Sequence, residues 1–351
     1  MIDGAGFSDL MILGLGGDDV ICSGRGTPLA ILAGDGDDRI EMRVISFDHT
    51  DDNTADGGEG DDQLVFVGNG AGEARGGEGD DRIVDAARYH SGITVLPGPG
   101  DDTVVGSRST TLAFGGMAGV RISVTEGEAD GEGHDTFSDI RAFVGTAGPD
   151  TFLGSGSSDS FLGDPRSVAT SPTSTSDVAY GGGGPDFLTL AGRARGGEGR
   201  DHLLVYGPTA AAWGGPGSDS LRLTAVSCTA ACRLRADGGA GVDRLTLWLA
   251  GRQGVRVNLT SGRASMGTRG RVALAGVEDV SGTSDRDVII GNAGPNRLFG
   301  AGDDDVLEGR GGRDALTGGR GRDVLVGGKG RDHADGGKDR DRCQAEVRRS
   351  C

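Results

Sequence analysis

The sequence predicts an all-β protein, a parallel β-roll or β-helix solenoid in two stacked modules, and three observations predict it. Seventy of 351 residues are glycine, recurring in step with Asp and with single aliphatic residues. Seven blocks of nine residues follow one another without a gap near the C-terminus. The same glycine–aspartate turn returns upstream at wider intervals. A fixed short period of this kind is the signature of a stacked repeat, and it takes precedence over local propensity.

Composition removes the main competitors. Glycine at a fifth of the chain, with aromatics at 4% and DEKR at 25%, would ordinarily mean disorder. A solvated linker has no reason to keep its glycines in register with Asp and aliphatic residues. Collagen needs glycine at every third position, which is absent. The net charge of −18 is uneven: residues 1–163 hold 30 acidic against 9 basic residues, and 164–351 hold 23 against 26. The acidic half would repel phosphate, so nucleic acid is not an expected partner. No run of 18 apolar residues exists, so no transmembrane helix is expected. The N-terminus lacks the basic-then-apolar pattern of a signal peptide and reads as if it begins inside a repeat.

The first module, 1–163, carries GLGGDD (14–19), GDGDD (34–38), GGEGDD (57–62), GGEGDD (76–81) and GPGDD (98–102). These place Asp18, Asp38, Asp62, Asp81 and Asp102 at the turn's sixth position, spaced by 20, 24, 19 and 21 residues. That spacing is one coil of 18 plus a small insertion, so one edge keeps its turn while the other degenerates. QLVFV (63–67) reads as a strand and GNGAGEA (68–74) as the loose opposite turn. The Ser/Thr/Pro-rich DPRSVATSPTSTS (164–176) reads as a linker.

The second module, 177–343, opens with GGGGPD, GGEGRD, GGPGSD and GGAGVD, which give Asp186, Asp201, Asp219 and Asp243. The halves look duplicated. GVRISV (119–124) matches GVRVNL (254–259) at an offset of 135, and IRAFVGTAGPDTFLG (140–154) matches VEDVSGTSDRDVIIG (277–291) at 137.

From residue 282 the blocks read GTSDRDVII, GNAGPNRLF, GAGDDDVLE, GRGGRDALT, GGRGRDVLV, GGKGRDHAD and GGKDRDRCQ. The first position is always glycine. The sixth is Asp287, Asn296, Asp305, Asp314, Asp323, Asp332 and Asp341. The eighth is Ile289, Leu298, Leu307, Leu316, Leu325, Ala334 and Cys343. Six glycine-rich residues can make a tight turn. The last three form a short strand with one inward aliphatic residue. Two blocks make an 18-residue coil, and stacked coils pair as parallel sheets on a narrow core. Residues 345–351 read as a tail.

These blocks resemble the RTX nonapeptide, G-G-x-G-x-D-x-U-x, of hemolysin-type calcium-binding proteins. The best matches are 318–326 and 327–335; the first, third and last blocks carry Asp285, Asp303 and Asp339 where the fourth-position glycine belongs. The resemblance implies Ca²⁺ ions between adjacent turns on one edge, held by carboxylate and carbonyl oxygens of both.

The residues alone point the same way. Stacking puts the sixth-position side chains of alternate blocks about 4.8 Å apart. One column is Asp287, Asp305, Asp323 and Asp341; the other is Asn296, Asp314 and Asp332. Two carboxylates at that distance repel by roughly 0.9 kcal/mol even at the dielectric of water, and a cation between them removes the repulsion. Oxygen donors at flexible spacing suit Ca²⁺ better than Zn²⁺ or Mg²⁺. The competing reading is that these side chains only cap turns through Asx-type hydrogen bonds.

No catalytic constellation is present: there is no H-E-x-x-H, G-x-S-x-G or P-loop, and His49, His90, His134, His202 and His333 are scattered. No enzyme is expected. Cys228/Cys232 and Cys343/Cys351 are close enough to close small loops, leaving Cys22, which fits an oxidising compartment. The expected function is calcium binding with calcium-dependent folding of a secreted, extracellular protein. The alternatives are the carrier part of a larger secreted enzyme or toxin, or a calcium-dependent adhesive surface protein. The C-terminal EVRRSC shows no export signal, so the route stays open. A Val/Ile stripe on one outer face (Val288, Ile290, Val306, Val324, Val326, interrupted by Glu308) is a candidate self-association surface, against ordinary β-branched strand preference. The residue before the sixth-position Asp is Asp37, Asp61, Asp80 and Asp101 in the first half, and Arg200, Arg286, Arg313, Arg322, Arg331 and Arg340 in the second. The first half should therefore depend more on calcium.

Overall fold

The computed structural model describes residues 2–3, 10–23, 29–44, 53–86, 92–164, 176–225, 232–249, 254–267 and 270–351. His49, His90, Cys228 and most of the 164–176 linker lie outside the described residues. Every regular element among the described residues is a strand, and no helix is long and apolar enough to cross a membrane. The chain forms two compact units, one of 1–155 with 159–166 and the other of 156–158 with 167–351.

Up to Val105 each strand of the first unit pairs in parallel with the next but one, so the coil alternates between two ladders. One ladder runs Leu10–Gly16, Leu29–Asp35, Thr54–Glu59, Gly72–Glu78 and Ile93–Leu96. The other runs Val20–Cys22, Arg39–Val44, Gln63–Gly68, Arg82–Asp85 and Thr103–Val105. Strands alternate side chains inward and outward, and the inward row is apolar: Ile21, Ile40, Leu64 and Ile83 are completely buried. Towards residue 161 the core becomes aromatic, with Phe137, Phe143, Phe152 and Phe161 in a row at successive centroid distances of 5.1, 5.6 and 4.8 Å, the first two pairs tilted and the last stacked.

The second unit continues the same logic, and its nonapeptides keep an 18-residue register. Val288, Val306, Val324 and Arg342 follow one another in one row, and Arg297, Ala315 and His333 in another. The eighth-position residues Ile289, Leu307, Leu316, Leu325 and Ala334 are fully buried. The strands are longer than the sequence suggests. Val306–Gly311 and its neighbours run six residues, because the first three turn residues stay paired to the next coil. Val347–Arg349, read as tail, pairs in parallel with His333–Asp335. Cys343 and Cys351 are disulfide-bonded, with Cα atoms 5.7 Å apart, and Cys22 is a free thiol.

Two kinds of glycine build most of the turns, for different reasons. Positions two and four take positive φ, as at Gly319 (123°) and Gly321 (116°), where a Cβ is penalised. The first-position glycine is needed for space: a Cβ on Gly318 would collide with Oδ2 of Asp323, in its own block.

Each unit also contains an antiparallel interruption. Arg121–Ser123, Glu128–Asp130 and His134–Ser138 form one; Val255–Asn258, Arg263–Met266 and Gly270–Ala275 form the other.

Candidate metal sites

At the turn edge the backbone cannot continue its own ladder, and the sixth-position carboxylate does so instead. The N–H of Asp19 donates to Asp38 Oδ1, Asp38 to Asp62, Asp62 to Asp81, Asp81 to Asp102 and Asp102 to Asp135, at 2.7 to 3.1 Å. In the second unit the same relay runs from Asp186 to Asp201, Asp219 and Asp243, then to Glu278. Two further columns follow. One is Asp287, Asp305, Asp323, Asp341; the other is Asn296, Asp314, Asp332, ending on Glu346 Oε2. Each carboxylate therefore uses Oδ1 to bind the coil before it.

The second oxygen separates the turns into two classes. Oδ2 of Asp38, Asp62, Asp81, Asp102, Asp201, Asp219, Asp243, Asp305, Asp314, Asp323, Asp332 and Asp341 is buried with no hydrogen-bond partner. A carbonyl faces the same point. A Cβ placed on Gly300 would meet Asp305 Oδ2 and, at 2.8 Å, the Gly318 carbonyl oxygen; Gly57 and Gly309 show the same arrangement. Two acceptors thus share a cradle with no proton between them. Burial of such a group costs about 1–3 kcal/mol unless something compensates it.

The other class satisfies itself. Where position two is Thr, Ser or Asn, its N–H donates back into the turn. Thr146 donates to Asp150 Oδ2 at 3.0 Å, Ser155 to Asp159 Oδ2, Thr283 to Asp287 Oδ2, and Asn292 to Asn296 Oδ1 at 2.8 Å. Asn296 also donates its amide to the Glu278 carbonyl at 3.0 Å. In the open class position two takes positive φ, mostly as glycine, which turns its N–H towards the next coil, as Gly77 donates to the Pro97 carbonyl.

Electrostatics follows from this geometry. Loss of solvation raises Asp81 and Asp305 to about 8, Asp135 to about 7, and Asp62, Asp102, Asp219, Asp314 and Asp323 to about 6. Neighbouring carboxylates add to the rise at Asp81 and Asp305, and the backbone N–H donated to Oδ1 opposes it. A positive ion in the cradle reverses both unfavourable contributions.

The sequence-derived residues fall into place with one register error. The sixth-position residues from Asp38 onward are buried in these ladders, except Asp341, which is half-buried. Asp18 is exposed and stands at the fifth position; Asp19 is the sixth residue of GLGGDD and begins the buried ladder. Asp18 instead opens an outer ladder. Its Oδ1 accepts from Asp37 N–H, and the relay continues through Asp61, Asp80 and Asp101 to His134 N–H. Sequence reasoning also missed Asp135, Asp150, Asp159, Glu278 and Glu346. GEGHD (131–135), GTAGPD (145–150) and GSGSSD (154–159) carried a signal for the first three. The two glutamates lie outside the repeat and carried none. Among the described residues no three His, Cys, Asp or Glu side chains converge as a metal-binding group, so a cation in a cradle must take backbone oxygens as well.

Residues 143–165, 281–316 and 309–343 match the family model of the RTX calcium-binding nonapeptide repeat, in four copies. Over these spans the chain is similar to the RTX repeat. The matched spans take in self-satisfied turns at Asp150, Asp159, Asp287 and Asn296 and open turns at Asp305, Asp314, Asp323 and Asp332. No curated protein matches the chain.

Proposed function

We propose that the open turns hold several Ca²⁺ ions and that the metal completes the fold of a secreted β-roll. The observation that carries this reading is the set of buried Oδ2 atoms without partners, of which those of Asp62, Asp81, Asp219, Asp305, Asp314 and Asp323 face a carbonyl oxygen across a glycine where a Cβ would collide. The donors are all oxygen, half of them backbone, which suits a hard and geometrically tolerant cation. Asp62, Asp81, Asp219, Asp305, Asp314 and Asp323 would each supply Oδ2, together with the first-position carbonyl of the following coil. Self-satisfied turns act as latches that close without an ion.

Ligand binding to the folded state alone stabilises it by mass action, and a site absent from the unfolded chain makes binding and folding one process. Such a chain stays loose where calcium is scarce and folds where it is plentiful, which fits export to an extracellular setting. The role is structural rather than catalytic, whether the chain works alone or as the carrier of a larger secreted enzyme or toxin. A calcium-dependent adhesive role draws support from the half-buried stripe of Val288, Ile290, Val306, Val324 and Val326 on one outer face.

Calorimetric titration of the metal-free chain tests the reading. Calcium should bind at several sites with a gain in far-ultraviolet β signal, and magnesium at the same concentration should not replace it. A flat calcium titration would remove the proposal.

A further inference from the structure

The antiparallel interruption of the second unit points to a function unrelated to calcium. In the first unit, Arg121 lies opposite Asp130. It pairs with Asp130 at 3.6 Å and with Glu126 at 3.4 Å, while His134 Nδ1 contacts Asp130 at 2.8 Å. That hairpin neutralises its own charge. In the second unit the equivalent Arg256 lies opposite Ser265. Ser261 stands where the first hairpin has Glu126, Arg263 where it has Glu128, and Arg271 where it has His134. Every counter-charge is gone and two arginines have been added.

The register then gathers the cations. Arg271 lies beside Arg233 on one side and beside Ser265 on the other, and Ser265 lies beside Arg256. Three arginines therefore share one row across four strands, about 4.8 Å per strand, and Arg263 stands in the next row. All four are exposed and make no ion pair among the described residues. Like charges directly opposite in a sheet are destabilising, so nothing in the fold accounts for them. They line a groove of about 1150 Å³ together with Asn258, Ser261 and Ser265 and the aliphatic Val288 and Ile290, which lie beside Arg256 and Asn258 on the next strand. Among the described residues, no acidic and no aromatic side chain lines it.

We infer that this groove binds a linear acidic oligosaccharide, its sulfate or carboxylate groups on the arginine row. Guanidinium forks match both groups in a bidentate way. The hydroxyl and amide groups match ring hydroxyls, and the aliphatic Val288 and Ile290 match the apolar faces of sugar rings. Single-stranded nucleic acid would need an aromatic stacking platform, which is missing. An extended anionic surface would feel the whole chain's charge of −18, whereas a short oligomer meets mainly charges within a Debye length of about 8 Å.

The test uses the full chain in calcium with a heparin-derived hexasaccharide as the sulfated probe and an oligogalacturonate of equal length as the carboxylated one. Saturable, salt-sensitive binding of either sugar is expected, and the arm that binds identifies the anionic group. Ser261→Glu with Ser265→Asp restores the first hairpin's counter-charges and should weaken binding at least about tenfold, with calcium uptake unchanged. Arg233→Ser with Arg271→Ser should do the same. Absence of binding by both sugars, undiminished binding by the Ser261→Glu/Ser265→Asp chain, or tighter binding of a single-stranded oligonucleotide or of anionic vesicles would overturn the inference.

Discussion

A single carboxylate explains most of the turn's chemistry. Asp305 ties the preceding coil with Oδ1, through the Asp287 N–H at 2.8 Å, and leaves Oδ2 buried without a proton donor. Its carboxyl is raised to about 8, first by loss of solvation and then by Asp287, Asp323 and Asp303. A carboxyl raised on folding binds its proton more tightly in the fold than in the unfolded chain. Its stabilising contribution is complete below the ordinary Asp value of 3.8 and is lost as pH rises through the folded value. For Asp62, Asp102, Asp219, Asp314 and Asp323 that loss falls near 6, and for Asp81 and Asp305 near 8. Metal-free protein should therefore melt at a lower temperature at about pH 9 than at about pH 5. Calcium, which competes with those protons, should bind more tightly as pH rises through the same window. Thermal melts at both pH values, in chelator and in calcium, check the sign.

At the level of the turn, the self-satisfied and open classes make opposite demands on the same side chain. Asn296 shows what an amide achieves at the sixth position: its Oδ1 accepts from Asn292 and its amide donates to the Glu278 carbonyl. Asp305→Asn should give the unpaired position a donor facing the Gly318 carbonyl. Metal-free stability should rise by about 1 kcal/mol, and one calcium site should be lost. Asp287→Asn sets an amide against the Thr283 N–H that now donates to its Oδ2, and should destabilise the chain with or without metal. Denaturant titration of both variants in chelator and in calcium separates the classes.

The sequence made the turns legible because one inward aliphatic residue and one Asp recur every nine residues. Strand length was hidden, since a first-position glycine reads as turn while its backbone is still paired. The Asp18/Asp19 ambiguity has a local cause: GLGGDD carries Leu15 at position two, in positive φ (86°), so its glycines give no clear register. Glu278 and Glu346 end their columns by tertiary proximity alone, which no local pattern encodes.

Across the whole molecule, charge is distributed unevenly, and the two halves are expected to answer differently to metal. Beside its buried ladder the first half carries an outer file of Asp18, Asp37, Asp61, Asp80 and Asp101, linked only through backbone N–H groups. In the second half the fifth position is often arginine, and Arg322 meets Asp304 at 3.4 Å, which relieves part of the repulsion without an ion. The acidic half of 30 carboxylates against 9 cations has less such relief. Hydrogen exchange of the full chain, measured in calcium and in chelator, tests the central claim most directly, because amide protection reports the opening of each coil. The account expects protection to collapse in chelator, more completely over residues 1–163 than over 177–343. Equal protection with and without calcium, at the amides of Asp38, Asp62, Asp81, Asp287 and Asp305 above all, would contradict it.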